Sequence, residues 1–161
     1  MRNVLIVEDD PMVALINKKY IEMIEGFKVI GTVSDKEALM KLLENNDVDL
    51  ILMDVYLPKE NGIQILKYIR ERDIIVDVIM MTAADNTEGI KTAFAYGVID
   101  YLIKPFEFDR FKKAVDKHLK NNRILIGKSR LDQLSIDKIS NNNVVNNEYT
   151  DCSVNLFNSC E

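Results

Sequence analysis

Residues 4–13 read VLIVEDDPMV, an apolar run that meets three consecutive acids, Glu8, Asp9 and Asp10. The apolar run is typical of a buried strand, and Pro11 is typical of the first turn of a helix. Three carboxylates this close raise one another's pKa unless they share a cation. The acids that end this strand therefore either spread into solvent or surround a positive partner, and the rest of the chain decides between the two.

The same alternation of a short apolar run and a stretch with helical spacing continues to about residue 121. The apolar runs predict strands at residues 4–7, 28–33, 50–54, 77–82 and 100–104. Helical periodicity follows each run, which is the pattern of a parallel sheet covered on both faces by crossover helices. We therefore predict an α/β fold with a doubly wound, five-stranded parallel sheet and five helices.

Individual residues predict how these helices lie and end. Ser34 or Asp35 is suited to cap the second helix, and Gly97 is suited to end the fourth. His118 lies toward the end of the fifth helix, where we expect a surface or capping role. Apolar residues about one turn apart predict the inner face of the first helix: Val13, Ile16, Tyr20 and Ile24.

Composition limits the class of protein. The chain has 161 residues, 47% of them hydrophobic, and a net charge of −5. Its apolar runs fall far short of the ~18 residues that span a bilayer, and no signal-peptide core follows Met1, so we expect a cytoplasmic protein with no membrane partner. The acidic balance argues against a large nucleic-acid footprint. Cys152 and Cys160 are too few for a disulfide framework.

The character of the sequence changes after about residue 122. The remaining residues are rich in asparagine and lack a clear alternation of strands and helices. We predict one domain at residues 1–121, followed at residues 122–161 by a linker and a poorly ordered or truncated tail. One amphipathic stretch, RLDQLSIDKI at residues 130–139, has the spacing of a short helix.

Polar residues stand at four predicted strand ends: Glu8, Asp9 and Asp10, then Asp54, then Thr82, then Lys104. In a doubly wound sheet, the ligand site lies outside the carboxyl ends of the strands, so these side chains are expected to meet. Their carboxylates suit a hard cation such as Mg²⁺, which would be the common partner of the acids. Lys104 and Thr82 add a point charge and a hydroxyl for a phosphoryl group, and Asp54 is the candidate acceptor.

Four motifs, in this order and spacing, resemble the receiver domain of two-component response regulators over residues 1–121. They are VLIVEDD, LILMDVYLPKENG, MMTAA and DYLIKPF. The resemblance implies the flavodoxin-like receiver fold and a sensor histidine kinase that donates a phosphoryl group to Asp54. It also implies a protein that catalyses its own phosphorylation and dephosphorylation and is otherwise not an enzyme.

The resemblance implies roles for the acids. Asp9 would be a direct Mg²⁺ ligand, and Glu8 would act through water. Asp54 and the main-chain carbonyl of Tyr56 would complete the protein's share of the coordination shell. Asp10 falls just past the acidic pair and is expected to cap the first helix in contact with solvent.

The resemblance also implies a switch. Thr82 would move toward the phosphoryl group and Tyr101 would turn inward, which changes the surface formed by the fourth helix, the fifth strand and the fifth helix. The peptide bond before Pro105 is expected to be cis. Tyr56 and Ala84 occupy the two positions that tune the lifetime of the phosphorylated state, and neither side chain orients a hydrolytic water well, so we expect slow self-dephosphorylation.

Competing functions remain open at this point. A Mg²⁺-dependent hydrolase with an aspartyl-phosphate intermediate would carry a second aspartate two residues after the acceptor, where this chain has Tyr56. Residues 130–139 loosely resemble the stretch before the DNA-binding module in the citrate/malate-sensing class of transcription regulators. We favour a truncated transcription regulator over a degenerate one or a stand-alone receiver that signals through protein contacts. A homodimer is allowed, and DNA binding is not expected for this chain by itself.

Overall fold

A computed structural model describes residues 1–83 and 87–130. Ala84 and residues 131–139, on which two of the sequence interpretations rest, lie outside the described residues. Within them, five strands alternate with five helices. The strands are β1 Arg2–Val7, β2 Phe27–Val33, β3 Leu50–Asp54, β4 Asp77–Thr82 and β5 Asp100–Ile103. The helices are α1 Pro11–Glu22, α2 Lys36–Asn45, α3 Gly62–Glu71, α4 Thr87–Ala95 and α5 Phe108–Arg130.

The strands form one parallel sheet in the order β2-β1-β3-β4-β5. Strand order reverses at β1, which pairs with β2 on one side and with β3 on the other. The predicted doubly wound α/β fold is therefore confirmed. Because the switch point of such a sheet lies between β1 and β3, the carboxyl ends of these two strands form the rim of the ligand crevice.

The middle of the sheet is the core of the protein. Every residue of β3 is buried, as is every residue of β4 after Asp77. Side chains on both faces of these strands pack against helices, which is why the strands read as continuous apolar runs instead of alternating ones. The sheet therefore supplies a rigid base for the residues at its carboxyl edge.

Capping residues begin three of the helices. An oxygen of Asp10 accepts hydrogen bonds from the main-chain nitrogens at positions 12 and 13, at 2.9 and 3.4 Å. Asp35 caps α2 by accepting from Ala38 N at 2.8 Å, and Asn61 caps α3 in the same way. Gly97 follows the end of α4 with φ +78°, a conformation that side chains disfavour. The predicted roles of Asp10, Asp35 and Gly97 as helix boundaries are confirmed.

The inner face of α1 differs from the predicted one. Ala14, Asn17 and Ile21 are buried in the helix, whereas Ile16 is 45% exposed. The prediction of Val13, Ile16 and Tyr20 as the inner face was therefore displaced by one residue, although Ile24 is buried as expected. The cause is Asn17, a polar residue at a core position, which pattern reading assigns to the solvent side.

His118 is buried, and the prediction of a surface or capping role was wrong. Its side chain has no exposed area, and Nδ1 lies 2.5 Å from Oδ2 of Asp77. The ring also packs against Phe27 with the ring centroids 5.9 Å apart. His118 continues the one-turn spacing of the buried Phe111, Ala114 and Val115, but the polar residues around it hide this register.

Residues Met1–His118 form one compact unit, and residues Leu119–Glu161 form a second. The described part of the second unit is helical, because α5 runs without a break to Arg130. The helix thus passes the predicted domain boundary at residue 121, and the division at that residue stays a prediction. No helix among the described residues is long and apolar enough to cross a membrane.

Candidate functional site

The carboxyl edge of the sheet brings the predicted site residues together. Glu8 directly follows β1, Asp54 ends β3, Thr82 ends β4, and Lys104 directly follows β5. One carboxylate oxygen from each of Glu8, Asp9 and Asp54 lies within 4.8 Å of the others. Adjacent parallel strands therefore place these acids in one cluster, as their positions in the sequence predict.

Lys104 links two of these carboxylates. Its Nζ donates to Oε2 of Glu8 at 2.9 Å and to Oδ2 of Asp54 at 3.2 Å. Glu8 and Asp54 are 4% and 6% exposed, whereas Asp9 is exposed to solvent. Three carboxylates and one ammonium group leave about two negative charges in the cluster. An oxygen donor set with this charge fits a divalent hard cation such as Mg²⁺.

Burial acts on both partners of the Glu8–Lys104 ion pair. Burial raises the pKa of Glu8, and the hydrogen bonds that it accepts from Lys104 and from Asp10 N offset only part of the shift. Burial would lower the pKa of Lys104, but the hydrogen bond to Glu8 and the charge of Asp54 outweigh it, so the pKa of Lys104 is raised. Lys104 is therefore protonated at neutral pH. Its single positive charge does not balance the negative charge of the three clustered carboxylates.

The loop after β3 fixes the main chain around Asp54. Tyr56 N donates to Oδ1 of Asp54 at 3.2 Å, and Val55 N donates to Met81 O at 2.8 Å. Gly62 N donates to Val55 O at 2.7 Å, so α3 begins directly against the end of β3. A Cβ atom at Gly62 would overlap the main-chain oxygen of Asp54. Position 62 therefore has no room for a side chain, and glycine lets α3 begin this close to β3.

The ends of β4 and β5 are joined by main-chain geometry. Thr82 O accepts a hydrogen bond from Lys104 N at 2.6 Å, and the side chain of Thr82 is fully buried. The Lys104–Pro105 peptide bond is cis, as the sequence resemblance implies. Tyr101 is 7% exposed and already lies inside the domain, whereas Tyr56, two residues after Asp54, is 48% exposed.

Sequence reasoning missed two buried polar groups, one next to the strand that ends in Thr82 and one at the start of β5. Asn17, 1% exposed, donates from Nδ2 to Sδ of Met81 at 3.6 Å and so connects α1 to the strand that ends in Thr82. Asp100, at the start of β5, accepts hydrogen bonds from Arg110 and Lys117 of α5. The seven-residue spacing of these two cations on one helix face is the signal that could have revealed the Asp100 contacts.

Comparisons with known proteins agree with this geometry. The family model of the response regulator receiver domain matches residues 4–116. The chain is 41% identical over 137 residues to the transcriptional regulatory protein MalR of Bacillus subtilis (strain 168), covering 85% of this chain and 58% of MalR. It is 39% identical over 141 residues to the transcriptional regulatory protein DcuR of Escherichia coli (strain K12), covering 86% of this chain and 59% of DcuR. The chain thus spans about three-fifths of the length of these curated relatives.

The solved structures lead to the same family. The receiver domain of the Francisella response regulator 1452 matches with a TM-score of 0.66 and 29% identity, covering 75% of this chain and 99% of that structure. The resemblance to receiver domains, and the looser resemblance to a class of transcription regulators, are confirmed by these matches. The chain belongs to the response regulator receiver domain family.

Proposed function

We propose that this chain is the phosphoacceptor domain of a two-component transcription regulator and that Asp54 accepts the phosphoryl group from a sensor histidine kinase. The observation that carries the proposal is the cluster at the carboxyl edge of the sheet. There, Glu8, Asp9 and Asp54 place carboxylate oxygens within 4.8 Å of one another, and Lys104 contacts two of them. A cluster of this kind is suited to phosphoryl transfer, in which positioned positive charge stabilises the phosphoryl oxygens.

Asp54 is the nucleophile in this proposal. One of its carboxylate oxygens forms the new O–P bond while the P–N bond to the kinase histidine breaks, and the imidazole nitrogen keeps the bonding electron pair. Tyr56 N and Lys104 Nζ, which contact the two oxygens of Asp54, orient the carboxylate for attack. Gly62 allows α3 to begin close enough to hold this strand end in place.

Glu8, Asp9, Asp54 and the main-chain carbonyl of Tyr56 would hold Mg²⁺. The bound ion supplies positive charge that neutralises the acids and the phosphoryl oxygens. Lys104 is the protein's own cation for the phosphoryl group, and the hydroxyl of Thr82 is the donor from the neighbouring strand. These residues stabilise negative charge on the phosphoryl oxygens and do not need to transfer a proton.

Phosphorylation changes what Lys104 and Thr82 contact. New charge-assisted hydrogen bonds to the phosphoryl group draw these two residues toward Asp54. Since Lys104 N is bonded to Thr82 O at 2.6 Å, the ends of β4 and β5 respond together. Tyr101, within β5, is the residue that transmits this response to the surface of α4, β5 and α5. Slow loss of the phosphoryl group is expected because the side chain of Tyr56, two residues after Asp54, does not orient a hydrolytic water as a carboxylate or an amide would.

Transcription regulation is the output that the relatives support, since both MalR and DcuR are transcriptional regulatory proteins. The partners are the sensor histidine kinase and, for output, a second copy of the protein. We do not expect this chain to bind DNA by itself, and we expect the protein to work in the cytoplasm. A hydrolase is not favoured because Tyr56 stands where the hydrolase mechanism needs a carboxylate.

Incubation with acetyl phosphate and Mg²⁺, followed by intact-mass measurement, tests the proposal. We expect the wild type to gain about 80 Da, the mass of one phosphoryl group. Asp54→Asn should remain unmodified, and so should the wild type in excess chelator. Asp10→Asn is the matched control, because it changes a neighbouring acid that caps α1. An unmodified wild type, or equal labelling of Asp54→Asn, would contradict the proposal.

A further inference from the structure

The contact between His118 and Asp77 lies at the end of the sheet opposite the candidate site. Asp77 begins β4 and Thr82 ends it, so the contact lies roughly 17 Å along the strand from the phosphoacceptor edge. His118 is fully buried, and its Nδ1 atom lies 2.5 Å from Oδ2 of Asp77. The Phe27 ring packs against the imidazole from β2. Separation of this pair would take the hydrogen bond to Asp77 from an imidazole with no exposed area, whereas the Asp77 side chain is 29% exposed.

The negative charge of Asp77 also acts on the guanidinium group of Arg70 in α3. Arg70 donates from Nε to Tyr96 O at 2.8 Å and from Nη1 to Val76 O at 2.8 Å and Ile74 O at 3.3 Å. Burial lowers the pKa of Arg70, and the negative charge of Asp77 opposes part of that shift. The amino end of β4 is therefore held by polar contacts that reach the end of α3, the residue after α4, and α5.

α5 has a second polar attachment to the sheet, and it differs from the first in exposure. Asp100 accepts from Arg110 and Lys117, whose side chains are 42% and 52% exposed. The α5 side chains of this attachment are therefore in contact with water, whereas the carboxylate of Asp100 is buried. In the His118–Asp77 pair, the α5 side chain itself has no exposed area. The attachment at His118 is thus the one whose α5 side chain water does not reach.

We propose that the His118–Asp77 pair anchors α5 to the amino end of the sheet, so that a rearrangement at the phosphoacceptor edge moves the first turns of α5 while His118 stays in place. His118 is the last residue of the compact unit Met1–His118, although the helix itself continues to Arg130. The anchor sets the position of α5 at the end of that unit. The proposal depends on the proposed function in one respect only, namely that phosphorylation causes the rearrangement.

Residue-resolved amide hydrogen exchange by NMR on the full chain tests the anchor. The variants are Asp77→Ala, His118→Leu and the double variant, with Asp77→Asn in place of Asp77→Ala if the latter does not fold. We expect the amides of residues 112–118 to exchange at least about tenfold faster in each single variant, since local opening no longer breaks the buried contact. The double variant should exchange no faster than the faster single variant, because both changes remove one interaction.

Glu22→Gln is the matched control, because it removes an ion pair with Lys18 on α1 in which both side chains are about half exposed. It should leave exchange in α5 unchanged. An equal acceleration in β1, β3 and α5 would mean a general loss of stability and would overturn the anchor. Unchanged exchange in α5, or effects that multiply in the double variant, would overturn it as well.

A second arm uses the protein treated with acetyl phosphate and Mg²⁺, with labelling first verified by intact mass. In the wild type, amide chemical-shift changes in α5 should be confined to the turns before His118, and in Asp77→Ala they should reach His118. In the labelled wild type, chemical-shift changes at His118 as large as those in the first turn of α5 would contradict the anchor. Failure to label contradicts the proposed function instead, and the exchange measurements still decide the anchor.

Discussion

Two acidic regions of the sheet differ in how their charge is balanced. At the carboxyl edge, three carboxylates lie close together, and the ammonium group of Lys104 contacts two of them. At the start of β5, the single carboxylate of Asp100 accepts two hydrogen bonds from Arg110, at 2.7 and 2.9 Å, and one from Lys117 at 3.0 Å. Negative charge is in excess at the first site and matched or exceeded by cations at the second. A structural ion pair has no such excess of negative charge, whereas a cation-binding site requires one.

The pKa shifts follow this difference. Burial would raise the pKa of Asp100, but the hydrogen bonds from Arg110 and Lys117 outweigh it, so its pKa is lowered. For Glu8, burial is the larger effect, and the contact with Lys104 does not cancel it, so the pKa is raised. Similar burial therefore produces opposite shifts, because only one of the two acids has enough positive charge beside it.

The largest effect is expected from Lys104→Met, which removes the positive charge from the carboxyl edge. Glu8 and Asp54 would then stay buried without a cation, and we expect the free energy of unfolding to fall by about 3 kcal/mol without Mg²⁺. Urea unfolding at pH 7 measures this change. Added Mg²⁺ should recover part of the loss, since the ion takes the place of the missing charge. A variant as stable as the wild type in chelator would show that the acids need no partner.

Asp100→Asn should destabilise the protein by about 2 kcal/mol, since the variant leaves Arg110 and Lys117 without their carboxylate. Mg²⁺ should not recover this loss, because Asp100 is not one of the three acids whose carboxylate oxygens cluster at the carboxyl edge. The comparison is urea unfolding with and without Mg²⁺, with Glu22→Gln as the exposed control, expected within about 0.5 kcal/mol of the wild type. Equal recovery by Mg²⁺ in both regions would remove the distinction between them.

Asp9→Asn should stabilise the protein, in contrast to Lys104→Met and Asp100→Asn. Removing one of the mutually repelling acids should raise the free energy of unfolding by about 0.5 kcal/mol in chelator. Asp10→Asn, next along the chain, should be nearly neutral, because asparagine caps a helix about as well as aspartate. Thermal unfolding of both variants in the presence of chelator measures these two changes in stability. A destabilised Asp9→Asn would indicate that Asp9 is held by contacts of its own.

The smallest effect is in the pH dependence of stability without Mg²⁺. The pKa of Glu8 is raised above its ordinary value of 4.5, so its protonated form favours folding and that stability is lost as the pH rises above 4.5 through the folded pKa. The pKa of Asp100 is lowered below 3.8, so its contribution is present above 3.8 and is lost as the pH falls. We expect the free energy of unfolding, measured with urea across pH 3–7, to depend less on pH above 4.5 in Glu8→Gln than in the wild type. In Asp100→Asn it should depend less on pH below 3.8. Unchanged profiles would count against both assignments.

The sequence predicted the fold and the site where chemistry and pattern agree. Apolar runs marked all five strands, and polar residues at four of the strand ends identified the rim, because a parallel sheet brings its carboxyl ends together. The prediction failed where a polar residue serves the core. Asn17 and His118 are both buried, and each has a hydrogen-bond partner on a distant strand. No local pattern encodes such partners, since Met81 and Asp77 are 64 and 41 residues away in the chain.

Isothermal titration of Mg²⁺ into the chain tests the central claim most directly. We expect the wild type to bind one Mg²⁺ per chain. Binding should be clearly weaker in Asp9→Asn and Asp54→Asn and unchanged in Asp100→Asn and Asp77→Asn. This result would assign the ion to the acids that exceed their cations. Absence of Mg²⁺ binding in the wild type, or binding that Asp9→Asn and Asp54→Asn leave unchanged, would contradict the account.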